Sequence, residues 1–389
     1  MLTRRSFLGQ AALSACSLAA MPLITPITLA ATPGEKRFVT IILRGAMDGL
    51  DVVRPYGDPL LAQYRPKILG AEAGATDLDG FYALHPALKD LRPLWDAKDL
   101  SFAHAVSTPY RDKRSHFDGQ DLLEAGTGMD APREMARSGW LNRLIQTMPD
   151  ATAATGYSVG TDQMPIMAGD AKLLSWSPQT RLVMSPQAEL LLNAVYEEDP
   201  LFHSAAEQAF AISKGEAANS ESEAKGVAAR IAEFAGQRLN EDTRIAAFSL
   251  NGWDTHRAQS GGIKRALAGL SSAILTLKQT LGPNWENTAV MAMTEFGRTA
   301  RENGSGGTDH GTGGALVMAG GAIRGGQVFG DWPGLADSDL FAGRDLMPTA
   351  DVRAYAGSAL HALYGVTVED LETKIFPGLD ASTLPNVIG

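Results

Sequence analysis

Four short stretches of this sequence gather the side chains that could do chemistry. Asp48 lies in Leu43-Arg44-Gly45-Ala46-Met47-Asp48-Gly49-Leu50, and Asp254 and His256 lie in Asn251-Gly252-Trp253-Asp254-Thr255-His256. Glu295 and Arg298 lie in Thr294-Glu295-Phe296-Gly297-Arg298-Thr299, and Asp309 and His310 in Gly307-Thr308-Asp309-His310-Gly311. Carboxylates and imidazoles are donors for divalent cations. A carboxylate-rich set with some histidine suits Zn, Mn, Fe or Mg better than copper. On a strand, Asp254 and His256 would share a face. A fifth stretch, Arg114-Ser115-His116-Phe117-Asp118, opens a helical pattern. A hydroxyl there gains from the helix dipole as it develops negative charge, and anions are drawn to the same place. Plainer readings stand beside these. Ser115 is a good N-cap, Asp48 before Gly49 can shape a turn, and Glu295 can pair with Arg298 or Arg301. His85, His104, His203 and His361 sit in apolar or helical contexts and read as structural.

Strands and helices must bring these clusters together. Residues 38–43 form a continuous β-branched run, as in a strand buried on both faces. Similar runs occur at 101–106, 245–250, 288–293 and 315–319, with helical patterns at 86–95, 117–125, 137–147, 186–196, 227–239, 262–281 and 350–364. The alternation predicts an α/β fold: a mainly parallel sheet sandwiched by helices. The polar clusters follow or precede strands, so they are expected to meet at the carboxyl edge, where such sheets bind ligands. Residues 150–225 carry weaker strand signals and read as a cap or insertion on a single domain over residues 31–389.

Composition narrows the function. The 389 residues are 44% hydrophobic and carry a net charge of −10, so the chain is globular and has no basic footprint for nucleic acid. The single cysteine, Cys16, excludes an intramolecular disulfide and a Cys-based zinc site. Arg4-Arg5 ahead of an apolar run from Ala11 to Ala30 reads as a twin-arginine export signal over residues 1–30. Pro22 and Pro26 interrupt that run, which argues against a spanning helix. A soluble periplasmic or secreted chain is expected, with the twin-arginine translocase as its export partner and no stable transmembrane segment after cleavage. A lipoprotein anchored through Cys16 is the lesser alternative, because the residues after it stay apolar.

The motifs quoted above resemble those of the bacterial domain-of-unknown-function 1501 family, as do Ser115-His116-Phe117 and the Gly325-Gly326 to Leu335 stretch. That family resembles the alkaline phosphatase and sulfatase superfamily in fold. The resemblance implies an alkaline-phosphatase-like fold with one or two divalent metal ions. Asp48 matches the aspartate after the first strand, Ser115 the helix-start nucleophile, and Asp254 and His256 the pair after a middle strand. His310 matches the late histidine. The sequence departs from the pattern at Glu295-Phe296, where the superfamily has Asp-His, and His116 is the neighbour available to fill the gap.

The implied activity is hydrolysis of a phosphate or sulfate ester, on a small-molecule or glycan substrate. Asp254, His256 and His310 would hold one ion, and Asp48 and Glu295 a second. Ser115 would attack. Arg298, or else Arg44 or Arg114, would grip the ester oxygens, because the guanidinium fork suits them. Asp309 is a further candidate. The alternative is a non-catalytic envelope binding or maturation protein on the same fold.

Overall fold

The computed structural model describes residues 34–70, 74–111, 114–160, 162–177 and 226–389. Among them nine strands build the main sheet: β1 (Arg37–Leu43), β2 (Leu100–Ser107), β3 (Gly156–Val159), β4 (Leu174–Trp176), β5 (Ile245–Leu250), β6 (Thr288–Met293), β7 (Gly314–Ala319), β8 (Val328–Phe329) and β9 (Ala350–Asp351). Their order is β8-β2-β7-β6-β1-β5-β3-β4, with β9 also pairing β2. All these pairings are parallel except those of β7, which runs antiparallel to both β6 and β2.

Side chains along β1 alternate between two cores, because successive residues of a strand point to opposite faces. Val39, Ile41 and Leu43 join one core; Phe38 and Ile42 join the other. The first core is closed by α3 (Val227–Leu239) and α4 (Gln259–Leu281). The second is closed by α2 (Trp140–Thr147) and α5 (Val352–Tyr364). A sheet covered on both faces explains why its strands read as unbroken apolar runs. The remaining helix that matters is α1 (His116–Ala125), capped by the Ser115 side chain and ended by Gly126 in the left-handed region, φ 66°. Helix and sheet together make the mixed, mostly parallel α/β architecture that the alternating pattern predicts.

Several expectations shift in detail. The pattern at 86–95 is a 3-10 segment, Pro86–Leu91, running into a short helix, Arg92–Asp96, since Pro86 and Pro93 each remove an N–H donor. Helix α2 begins at Trp140 rather than at 137, with Gly139 at its N-cap. Strands β3 and β4 belong to the main sheet and extend it beyond β5. The helix at 186–196, the rest of the cap at 178–225 and the export signal at 1–30 lie outside the described residues. No helix among the described residues is long and apolar enough to cross a membrane.

The reversed strand decides where the site forms. Strands β1, β2, β5 and β6 point the same way, so the loops that leave them emerge at one edge. A loop that precedes a parallel strand lies at the opposite edge. Asp309 and His310 precede β7, and they reach the common edge because β7 runs backwards.

Candidate metal centre

Four side chains converge at this edge from three directions. Asp254 and His256 leave β5, His310 comes from the loop ahead of β7, and His116 stands in the first turn of α1. The Asp254 Oδ1 lies 3.1 Å from His256 Nε2, 3.4 Å from His310 Nε2 and 3.6 Å from His116 Nε2. His256 Nε2 and His310 Nε2 are 2.9 Å apart. Donor atoms of His116, Asp254 and His310 all lie within 4.8 Å of one another.

Each imidazole is held from behind through its other nitrogen. His310 Nδ1 donates to the Arg114 carbonyl at 2.9 Å. His116 Nδ1 donates to Glu295 Oε1 at 2.8 Å, and His256 Nδ1 to Asp309 Oδ1 at 3.3 Å. A carbonyl or carboxylate can only accept, so these bonds place the neutral imidazole proton on Nδ1 and leave Nε2 as a lone pair. Such outer partners are the usual orienters of metal-bound histidines. His116 Nε2 is buried and has no hydrogen-bond partner.

This donor set fits a metal ion. Ligand atoms about 2.0–2.1 Å from one tetrahedral ion lie roughly 3.3 Å apart. The separations among Asp254, His256 and His310, 2.9 to 3.4 Å, straddle that value, and His116 lies within 4.8 Å of Asp254 and His310. Two imidazole lone pairs facing at 2.9 Å repel unless a cation or proton lies between them.

The charges around the cluster are set by its neighbours. The Glu295 hydrogen bond raises the His116 pKa. Burial lowers that of His310, and the nearby cationic groups add to the effect. For Asp254 burial acts upward, but the Arg298 bond and charge hold the carboxyl below its ordinary value. Glu295 is likewise held low against its burial, by bonds from His116, Gln120 and Thr294. An Asn303 hydrogen bond, then His256, lowers Asp309.

Two glycines allow the elements to approach this closely. A Cβ on Gly307 would stand 2.4 Å from the Thr255 carbonyl oxygen, so the His256 and His310 loops touch only because it has none. A Cβ on Gly119 would meet the Phe296 ring at 2.9 Å. That ring is buried and stacks on His116, with centroids 5.3 Å apart. Phe296 ligates nothing; it fixes the plane of an imidazole that does face the cluster.

The other expected site residues fall elsewhere. Asp48 is not a member of the cluster: its Oδ2 takes the fully buried Arg65 guanidinium at 2.7 Å, which supplies the positive charge a second cation was expected to bring. Glu295 is buried behind His116, accepting from its Nδ1 at 2.8 Å and from the Gly45 N–H at 3.0 Å, so both bonds turn its Oε1 toward neighbours of the cluster. Arg298 as a grip on ester oxygens needs the same correction. It is buried, and it donates to the carbonyls of Ala46, Thr308, Gly45 and Trp253 and to Asp254 Oδ1. With those donors turned inward, it binds the loops to one another. Ser115 caps α1, its Oγ accepting from the Asp118 N–H at 3.4 Å. Arg44 bonds to Gln120, Glu124 and the Gln163 carbonyl. Arg114, at φ 52°, bonds to the buried Asp345 at 3.2 Å. Asp309 is half exposed and also accepts from Asn303. His85 and His104 are buried away from the cluster, as structural histidines.

Sequence reasoning missed Arg65, whose only local mark is the proline after it. It also missed Gln259, which reads as an ordinary polar residue just ahead of a helix.

No curated protein matches the sequence. Solved structures of low similarity do. One is a protein in the alkaline phosphatase superfamily from Vibrio parahaemolyticus, with 11% identity, TM-score 0.34, and coverage of 74% of this chain and 60% of that one. Another is the lipoteichoic acid synthase LtaP from Listeria monocytogenes, with 9% identity, TM-score 0.33, and coverage of 68% and 57%. A third is the C-terminal periplasmic domain of EcEptC from Escherichia coli, in complex with Zn, with 9% identity, TM-score 0.35, and coverage of 75% and 74%. The chain thus spans 60% and 57% of the length of the first two. At these TM-scores the likeness carries no argument about activity. The family model described as "Protein of unknown function (DUF1501)" matches residues 97–372, and the chain belongs to that family.

Proposed function

We propose that this chain is an exported, metal-dependent hydrolase of phosphate or sulfate esters, built on one divalent ion. The observation that supports it is the pair of imidazole Nε2 atoms 2.9 Å apart, each with its proton directed to the far side of the ring. His116, His256, His310 and Asp254 would hold the ion, which when bound supplies Lewis acidity toward an ester oxygen. Zn, Mn or Fe suits three imidazoles and a carboxylate better than Mg. Ser115 is the nucleophile in this reading. Its hydroxyl accepts one long bond at the start of α1, and the dipole there favours the alkoxide. Arg114 takes the ester oxygens in place of Arg298, since its side chain is about one-third exposed and its backbone carbonyl holds His310. Export rests on the Arg4-Arg5 signal.

The experiment is metal content by mass spectrometry on the exported chain, with turnover of phosphate and sulfate esters measured beside it. About one equivalent is expected, lost in His310→Ala and kept in Ser115→Ala, with turnover lost in both. No metal in the wild-type chain would sink this reading. The stacking of Phe296 on His116, where a further ligand was expected, favours a second reading: a metal-binding envelope protein without turnover. Metal retained with no ester cleaved would select it.

A further inference from the structure

A buried polar network lies behind the ligand loops, with one side chain at its centre. Gln259 is the first residue of α4 and is fully buried. Its Nε2 donates to Asp48 Oδ2 at 2.7 Å and to Asp51 Oδ2 at 2.9 Å. Its Oε1 accepts from the hydroxyls of Thr255 at 3.0 Å and Thr308 at 2.7 Å. Both amide donors and both acceptor positions are filled. Carboxylates only accept, so the nitrogen must face them and the amide cannot be turned over.

The two threonines are placed at the ligands themselves. Thr255 stands between Asp254 and His256, and Thr308 stands ahead of Asp309 and His310. The Thr308 N–H also donates to the Thr255 carbonyl at 3.2 Å. The anchors on the other side are themselves paired, Asp48 to Arg65 and Asp51 to Arg54. Ala258, just before Gln259, is held at φ 44°, a left-handed conformation that a non-glycine residue keeps only where its surroundings over-determine it.

We propose that Gln259 is the positioning residue of the metal centre: its single amide, anchored on Asp48 and Asp51, sets the spacing of the two loops that present Asp254, His256 and His310. This rests on the metal-binding reading above. Gln259 touches none of the ligand side chains and acts through Thr255 and Thr308. Loss of a direct outer partner weakens metal binding about 10–100-fold, and a residue acting through the loops is expected at the low end of that range.

The test is titration of the full chain with Co2+, read by its visible absorption for affinity and coordination geometry, with Tm measured alongside. Thr308→Val and Thr255→Val each remove one hydroxyl at nearly constant shape. Both should bind Co2+ about 10-fold or more weakly with an altered spectrum, and Thr308→Ser should restore binding. Gln259→Glu removes the two donors and should act in the same direction; if it does not fold, the threonine variants carry the test. Thr155→Val is the control for a purely structural loss, since Thr155 is a buried hydroxyl in a capping box at the opposite edge of the sheet. It should lower Tm and leave the spectrum alone. Threonine variants that bind Co2+ like the control would overturn the proposal. A wild-type chain that takes up no Co2+ would overturn it too, together with the reading beneath it.

Discussion

Asp48 follows β1 and Asp254 follows the neighbouring β5, at one edge of one sheet, yet Asp48 is buried on the Arg65 guanidinium at 2.7 Å while Asp254 is half exposed among three imidazoles. Each carboxylate takes a buried guanidinium, Arg65 on Asp48 at 2.7 Å and Arg298 on Asp254 at 2.6 Å. Only Asp254 also faces imidazole nitrogens. The difference teaches that a conspicuous carboxylate at a strand end is not enough to mark a metal ligand. What marks it is whether the neighbouring groups are already satisfied. Around Asp48 a guanidinium and an amide supply donors; Asp254 has a guanidinium on one side and imidazole nitrogens on the other.

The largest expected effect breaks the Asp48 half of that contrast. Arg65→Met leaves a buried carboxylate unpaired and should cost about 3–5 kcal/mol of stability in urea unfolding. Should the variant keep its stability and bind a second equivalent of Zn2+, Asp48 is a cation site and the contrast fails.

A smaller effect concerns acid, and it separates the core from the site. Burial pushes the His104 imidazole down to about 4. Its folded pKa is below the unfolded value, so its contribution is fully present above about pH 6.5 and is lost as pH falls from there toward 4. The whole shift corresponds to about 3 kcal/mol. Wild type should therefore lose more stability over this window than His104→Gln. Equal losses would place the acid sensitivity elsewhere, with the half-exposed centre the first place to look.

The smallest effect sharpens the Asp254 half. Asp309→Asn weakens the acceptor behind His256 and should reduce metal affinity about 10-fold. Asp309 is half exposed, so stability should stay within about 0.5 kcal/mol in thermal unfolding. Unchanged affinity would mean that His256 is oriented without it.

The sequence was legible where the signal is local. Apolar runs mark the five long strands, and the clusters carrying Asp254, His256 and His310 stand beside them. His116 could be named only as a neighbour of Ser115, because its tie to Glu295 spans 179 residues. Arg65 and Gln259 are single polar residues whose partners come from distant loops, and no periodicity reveals them. The direction of β7 was hidden for another reason: an apolar strand reads the same whichever way it runs. The expectation that the clusters meet rested on a parallel sheet, and it holds because one strand is not parallel.

That reversal also bears on how the chain assembles. His256 and His310 are 54 residues apart, while the Glu295–His116 tie closes 179. By loop-closure entropy the longer connection is about 1 kcal/mol harder to make. The β5-to-β7 portion of the centre is therefore the cheaper to assemble, and α1 is the distant element drawn onto it. An ion bound there would fasten α1, and its removal should be felt first as faster amide exchange in that helix.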